Sequence, residues 1–261
     1  MNGTDRHWNG FRAMLQRARV LRERGRFCAR ELMGRKALRR YRLAPQGPTV
    51  FVRHRTDDLY ALDEVFVERD YAAPPEPARL LASLPRPRAV IDLGANIGLF
   101  GAWAAAELGA ERVIAFEPDP TNAQVLARCA AANPAVDWRL IRACASNADG
   151  TVQFQAGDFV GSRIVESGGV PVPARDIFAE LDSAALLKMD IEGGEWAILR
   201  DPRFEQIGVP VLVVEYHPHL CPSRDPRRAA ADALAAAGYE IAEAHHDTAR
   251  GQGVVWGWRS S

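Results

Sequence analysis

The stretch AVIDLGANIGLF, residues 89–100, decides the fold. An apolar strand ends in Asp92, passes through Gly94, Ala95, Asn96 and Gly98, and runs into a helical pattern. Glycine lets the backbone turn sharply there and approach a ligand closely, while the following helix presents free N–H groups. About 20 residues later a second strand ends at Glu117 in AFEPDP, where an acidic residue can accept hydrogen bonds from both ribose hydroxyls of a nucleoside cofactor. A tight turn alone would account for the glycines. It does not account for strand, glycine loop, helix and acidic strand end in that order.

Working outward, short apolar runs alternate with helical patterns. Ala89 to Leu93, Arg112 to Glu117, Trp138 to Ala145, Ala185 to Ile191 and Val209 to Tyr216 read as strands of a mainly parallel sheet with crossover helices. Gly150 to Pro173 reads as an inserted hairpin beside it. Arg224 to Ala237 is helical, and Tyr239 to Ala244 and Val254 to Trp258 form an antiparallel hairpin that finishes the sheet. Upstream, Phe11, Leu15, Ala18, Leu21, Cys28 and Leu32 recur at helical spacing, which predicts an amphipathic helix from Phe11 to about Leu43, with breaks at Gly25 and Gly34 and one buried stripe. Thr49 to His54 reads as a strand and Asp57 to Glu68 as a helix. The segment from Ala73 to Pro87 carries Pro74, Pro75, Pro77, Pro85 and Pro87 and cannot be one continuous helix or strand. The expected organisation is an N-terminal extension over residues 1–72, a proline-rich linker over 73–87 and an α/β domain over 88–261.

Composition bounds the rest. Of 261 residues, 48% are hydrophobic and 25% charged, which excludes a mainly disordered or fibrous chain. No run reaches the roughly 18 apolar residues of a membrane span, and MNGTDRHWNG has no apolar signal core, so a cytoplasmic protein is expected. Cys28, Cys129, Cys144 and Cys221 form no Cys-x-x-Cys pair and read as reduced thiols. Net charge is zero, yet residues 1–60 hold 15 of the 33 basic and 5 of the 33 acidic side chains. A basic arm of this kind either docks on the acidic remainder or touches an anionic membrane surface or nucleic acid.

Two clusters carry chemistry. In the glycine loop, Asn96 stands where a pyrophosphate binder has its second glycine, and Asp92 adds negative charge beneath. That charge disfavours a diphosphate such as NAD and suits the ammonium of S-adenosylmethionine (SAM), directly or through water. In LLKMDIEGGEW, residues 186–196, Lys188, Asp190 and Glu192 alternate onto one face at a strand end, where charges must pair or face a cleft. A structural pair that orients a loop remains the alternative for Lys188. VVEYHPH, residues 213–219, adds Glu215, His217 and His219; Pro218 and the tight spacing speak against a metal site there. The candidate cofactor residues are therefore Asp92, Gly94, Ala95, Asn96, Gly98, Glu117, the adjoining Pro118, and Asp190. The candidate catalytic residues are Lys188, Asp190, Glu192 and His217, and no metal ligand is assigned. A carboxylate beside Lys188 is a weakened base, which leaves Glu192 and His217 as the better proton acceptors and Glu215 as an orienter of His217.

Together, DLGANIG, AFEPDPTNAQVL, KMDIEGGEW and VVEYHP, in this order and spacing, resemble the FkbM-type SAM-dependent methyltransferases over about Ala89 to Pro218. RHRTDDLYALDEVFVERDY, residues 53–71, resembles a segment common upstream in that family. The resemblance implies a class I Rossmann-like methyltransferase, SAM as cofactor, and usually O-methylation of hydroxyls on sugars or polyketide-type secondary metabolites. Gly101, Cys129 and Asp176 depart from the family pattern and bear on substrate more than cofactor. The chain has no Asn-Pro-Pro-Tyr type element and no basic and aromatic platform for splayed bases, which argues against nucleic acid as the acceptor. A nucleotide-linked oxidoreductase and a noncatalytic SAM-fold binding module remain the alternatives.

Overall fold

The computed structural model describes residues 3–155, 162–165 and 167–259, with side chains from residue 10 onward. In chain order the elements are α1 Gly3–Arg19, α2 Arg24–Met33, β1 Ala37–Arg42, β2 Thr49–His54, α3 Asp58–Leu62, α4 Pro75–Ser83, β3 Ala89–Leu93, α5 Leu99–Trp103, β4 Arg112–Phe116 and α6 Pro120–Ala132. They continue with β5 Asp137–Ile141, β6 Cys144–Ser146, β7 Gly150–Gln155, β8 Arg163–Val165, β9 Val170–Asp176, β10 Ala184–Met189, α7 Glu195–Leu199, β11 Val211–Tyr216, α8 Pro226–Ala236, β12 Glu240–Asp247 and β13 Gln252–Trp258. No helix among the described residues is long and apolar enough to cross a membrane.

The fold is α/β and Rossmann-like. Its central sheet has the order β12-β13-β11-β10-β3-β4-β5. Strands β5, β4, β3, β10 and β11 run parallel, and β13 inserts antiparallel between β11 and β12. The chain leaves β3 toward β4 and β5 on one side and later returns to build β10 and β11 on the other. This places a crevice at the carboxyl end of β3, between the ends of β4 and β10, where open α/β sheets bind ligands. Central strands β3 and β10 are buried at every position, as a sheet covered on both faces requires.

Several expectations are revised. Past Gly34, which ends α2 in the left-handed conformation at φ +67, the chain is not helical: β1 pairs antiparallel with β2. Gly25 does not break a helix but lies in the first turn of α2. The break falls just before it, where the N–H of Arg22 donates to the carbonyl of Arg42 at 2.8 Å. The buried stripe also differs, since Met14, Ala18, Leu21 and Phe27 are inside while Phe11, Leu15 and Leu32 are exposed. Within the proline-rich stretch 73–87, Pro75–Ser83 is a helix because Pro75 and Pro77 lie in its first turn, where no intrahelical N–H is missed. Trp138 to Ala145 divides into β5 and β6, and β6 joins β9, β7 and β8 in a separate four-stranded sheet. The hairpin expected over 150–173 includes 156–161 and 166, which lie outside the described residues.

One apolar cluster runs from Met14, Leu21, Phe27 and Tyr41 through Leu62 and Tyr71 to Val90, Trp103, Val213 and Trp256. The N-terminal segments thus share a core with the sheet, and a second cluster fills the opposite face under α7 and α8. Packing explains one departure from the family pattern: a Cβ on Gly101 would meet the Trp138 ring at 2.5 Å, leaving no room for a hydroxyl residue. Another, Asp176, accepts the N–H of Phe178 and pairs with Arg203 at 2.7 Å, a structural role.

Candidate active site

The loop after β3 is built around Gly94. Its φ is +79, and a Cβ added there would stand 1.8 Å from the carbonyl oxygen of Asp190, so only glycine lets the loop after β3 and the end of β10 meet. The N–H groups of Gly94 and Ala95 donate to the carbonyl of Phe116 at the end of β4, at 3.1 and 2.9 Å. Three strand ends are tied together in this way.

Glu117 follows β4 directly. Its Oε2 accepts the N–H of Asn96 at 2.7 Å and its Oε1 that of Asp119 at 2.9 Å. Asp119 in turn caps α6 through the N–H groups of Thr121 and Asn122. Glu117 is 6% exposed, and burial pushes its carboxyl up to about 8 despite the two backbone donors. A carboxylate so placed gains from further donors, which vicinal hydroxyls of a ligand would supply.

Lys188 is 3% exposed on β10, with Nζ at 3.3 Å from both Asp92 and Asp190. It donates to the carbonyl of Gly94 at 3.0 Å. Burial opposes its charge, but Asp190, Asp92 and Glu215 outweigh burial and raise its pKa. Asp92 is fully buried, and burial raises its carboxyl against the pull of Lys188. These two residues form an internal strut between β3 and β10.

Beyond the strut lies a concentration of carboxyl groups. Burial works to raise Asp190, but the charges of Lys188 and His217 lower it overall. Tyr71 shares its single hydroxyl proton between Glu215 and, at 3.2 Å, Asp190. Burial, reinforced by Asp190, pushes Glu215 up to about 7, and burial with Glu215 and Asp190 pushes Glu64 up to about 9. His217 is 4% exposed; its Nε2 lies 3.6 Å from Glu192, 3.8 Å from Glu215 and 3.9 Å from Asp190. Burial disfavours the imidazolium, yet Glu195, Glu192 and Asp190 prevail and push it up to about 10. Glu192 sits in the left-handed region at φ +54, a strained conformation for a side-chain-bearing residue, and burial raises its carboxyl despite His217.

A cavity of 570 Å³ opens over this constellation, within the range of small-molecule sites. Of the residues expected from sequence, Gly94, Asn96, Glu117, Pro118, Asp190 and Glu192 line it. Asp92, Ala95, Gly98, Lys188 and His217 are buried behind its wall. Asp92 therefore does not reach a ligand ammonium directly; full burial against Lys188 makes it a support of the loop. His217, its pKa pushed up by Glu195, Glu192 and Asp190 against burial, is disfavoured as a proton acceptor near neutral pH. His219 stands apart, its Nε2 facing the carbonyl of Ile164 at 3.3 Å. Among the described residues the ligand-type atoms gathered within 4.8 Å belong to Asp190, Glu192 and His217.

Three participants escaped the sequence reading: Tyr71, Glu64 and Glu195. Glu195 lies inside the quoted KMDIEGGEW, and the acid after two glycines was the one available signal. Glu64 and Tyr71 lie inside the quoted RHRTDDLYALDEVFVERDY, which resembles the family's upstream segment, but no spacing joins them to the strand ends.

A family model described as the methyltransferase FkbM domain matches residues 92–241. Among solved structures, a methyltransferase FkbM from Methylobacillus flagellatus KT is similar at 20% identity and TM-score 0.47, over 77% of this chain and 54% of that one. The chain thus spans about half the length of that protein. A precorrin-6y C5,15-methyltransferase from Geobacter metallireducens GS-15 is similar at 14% identity and TM-score 0.44, over 74% of this chain and 89% of that one. M. jannaschii TYW2, solved with AdoMet, is similar at 15% identity and TM-score 0.44, over 87% of this chain and 89% of that one. No curated protein sequence matches the chain.

Proposed function

The chain belongs to the FkbM methyltransferase family, and on that premise we propose that it is a SAM-dependent O-methyltransferase acting on a hydroxyl of a sugar, glycan or secondary metabolite. The observation that carries the reading is the placement of Glu117 and Asp190 on one cavity wall, at the ends of the two strands that flank β3. The residues fit the cofactor. Glu117 supplies a carboxylate that gains from ribose hydroxyls, Gly94 and Asn96 leave the wall open, and Asp190 offers a negative group to a cation.

Bound SAM would supply a methyl group activated by its sulfonium, which departs as a thioether once an oxygen nucleophile takes the methyl. The protein has to align that oxygen and take its proton. Alignment lowers such barriers by as much as about 7–11 kcal/mol, and a positioned base contributes about 10²–10⁴-fold. Glu192 is the best-placed base, since it lines the cavity and burial raises its proton affinity. Charged His217 stands behind Glu192 and Asp190 and keeps the cluster from accumulating unbalanced negative charge. Asp190, lowered by Lys188, orients rather than accepts.

The test is transfer of label from methyl-labelled SAM to a panel of sugars and polyketide alcohols, with the product located by NMR. An O-methyl product supports the reading. Label on nitrogen or carbon alone overturns the O-methylation assignment.

A further inference from the structure

The floor of the cavity is acidic, but part of its rim is basic and, among the described residues, unpaired. Lys36 and Arg55 both line the cavity and are exposed. They flank the open end of the β1–β2 hairpin: Ala37 pairs with His54, and Lys36 and Arg55 are the next residues along each arm of the chain. Arg55 also takes φ +61, the left-handed region that arginine avoids.

Of the other basic side chains that line the cavity, Arg53 and Arg250 have partners, and Arg163, exposed on β8, lowers the pKa of Glu192 by its charge against the larger effect of burial. Arg53 binds Asp58 at 2.7 Å and donates to Asn122, and Arg250 donates to the Tyr60 hydroxyl at 3.2 Å with Asp247 at 3.7 Å. Among the described residues, Lys36 and Arg55 make neither an ion pair nor a side-chain hydrogen bond. Two cations that line one ligand cavity, unpaired among the described residues, form a ready anion site.

We propose that the methyl acceptor is an anionic molecule, bearing a phosphate or carboxylate group that Lys36 and Arg55 bind at the cavity mouth while its hydroxyl reaches the acidic floor. This rests on the methyltransferase reading for the identity of the ligand as acceptor. The anion site itself does not depend on it. The arrangement also explains how one cavity tolerates both charges: the acidic floor faces the reacting end, and the basic rim holds the distant anionic end.

The test titrates the full chain with glucose 1-phosphate, glucuronate and methyl glucoside by calorimetry at low ionic strength, with and without SAM. The expected result is that at least one of the two anions binds, at least about tenfold more tightly than the neutral glucoside, and that Lys36→Gln with Arg55→Gln removes that preference. The charge-conserving Lys36→Arg with Arg55→Lys should keep it within a few fold. Which anion binds distinguishes a phosphate-bearing from a carboxylate-bearing acceptor. Equal binding of all three probes, no binding of any, or undiminished anion binding by a glutamine double variant with wild-type melting temperature overturns the proposal. Anion binding through Lys36 and Arg55 in a protein that does not bind SAM would overturn the methyltransferase reading and leave the anion site standing.

Discussion

Glu195 holds His217 at two points, with Oε1 accepting the main-chain N–H at 2.9 Å and facing ring Nδ1 at 3.1 Å. Its other oxygen accepts the N–H of Gly193 at 2.8 Å, so the glycine turn after β10 and the end of β11 are fixed to one fully buried carboxylate. The pair sets both the orientation and the charge of the imidazole. Glu195→Gln keeps the shape and removes the charge. The ring pKa, about 10 in the native protein, should fall toward the ordinary 6.5. An NMR titration of the His217 ring measures this, and an unchanged midpoint would show that Glu195 does not set the charge.

Asp190→Asn and Glu192→Gln should each bind SAM within a few fold of wild type while losing most turnover. The loss expected for Glu192→Gln is at least about 10²-fold, the lower range for removal of a positioned base. Steady-state kinetics beside binding calorimetry separates the two effects. Wild-type turnover in both variants would make the cluster structural.

Lys188→Met should destabilise the fold by about 3–5 kcal/mol, because it strands the fully buried Asp92 without its counter-charge. Adding Asp92→Asn removes the stranded charge and should recover much of the loss. Urea denaturation of the single and double variants checks the sign. A double variant less stable than Lys188→Met alone would contradict the strut.

Stability without ligand should fall as pH rises. Glu117 is raised from 4.5 to about 8 by burial, and His217 from 6.5 to about 10, where Glu195 and its neighbours overcome burial. Each binds its proton more tightly folded than unfolded. The associated stability is fully present below the ordinary value and is lost as pH climbs through the raised one. Asp190 is lowered and acts in the opposite sense, but only at acid pH. The melting temperature should therefore decline from about pH 4.5 to about pH 10, less steeply below about pH 8 in Glu117→Gln. A rising or flat profile would contradict the assignment.

What the sequence disclosed follows the range of the interactions involved. The loop from Asp92 to Gly98 and the acid at Glu117 are local punctuation of a βα unit, and the structure places Gly94, Asn96 and Glu117 together as that reading implies. Strand β1 is not legible from periodicity, because the helical stripe that ends at Leu32 is followed by a run rich in basic residues with no clear alternation, although Pro45, Gly47 and Pro48 mark the hairpin turn that makes a strand of it. The raised pKa of His217 is not legible in the sequence, because Glu195 comes from a different element 22 residues earlier and meets it only through packing. Tyr71 reaches Asp190 across 119 residues of chain, a contact that no local periodicity encodes.

The central claim is that this cavity binds SAM through Glu117. Isothermal titration of SAM into wild type and Glu117→Ala tests it most directly. Glu117 would make two charge-assisted hydrogen bonds to the ribose, each worth about 1.5–3 kcal/mol, so the account predicts saturable wild-type binding weakened at least about tenfold in the variant. Equal SAM affinity in the two proteins, or tight NAD binding by a wild type that ignores SAM, would contradict it.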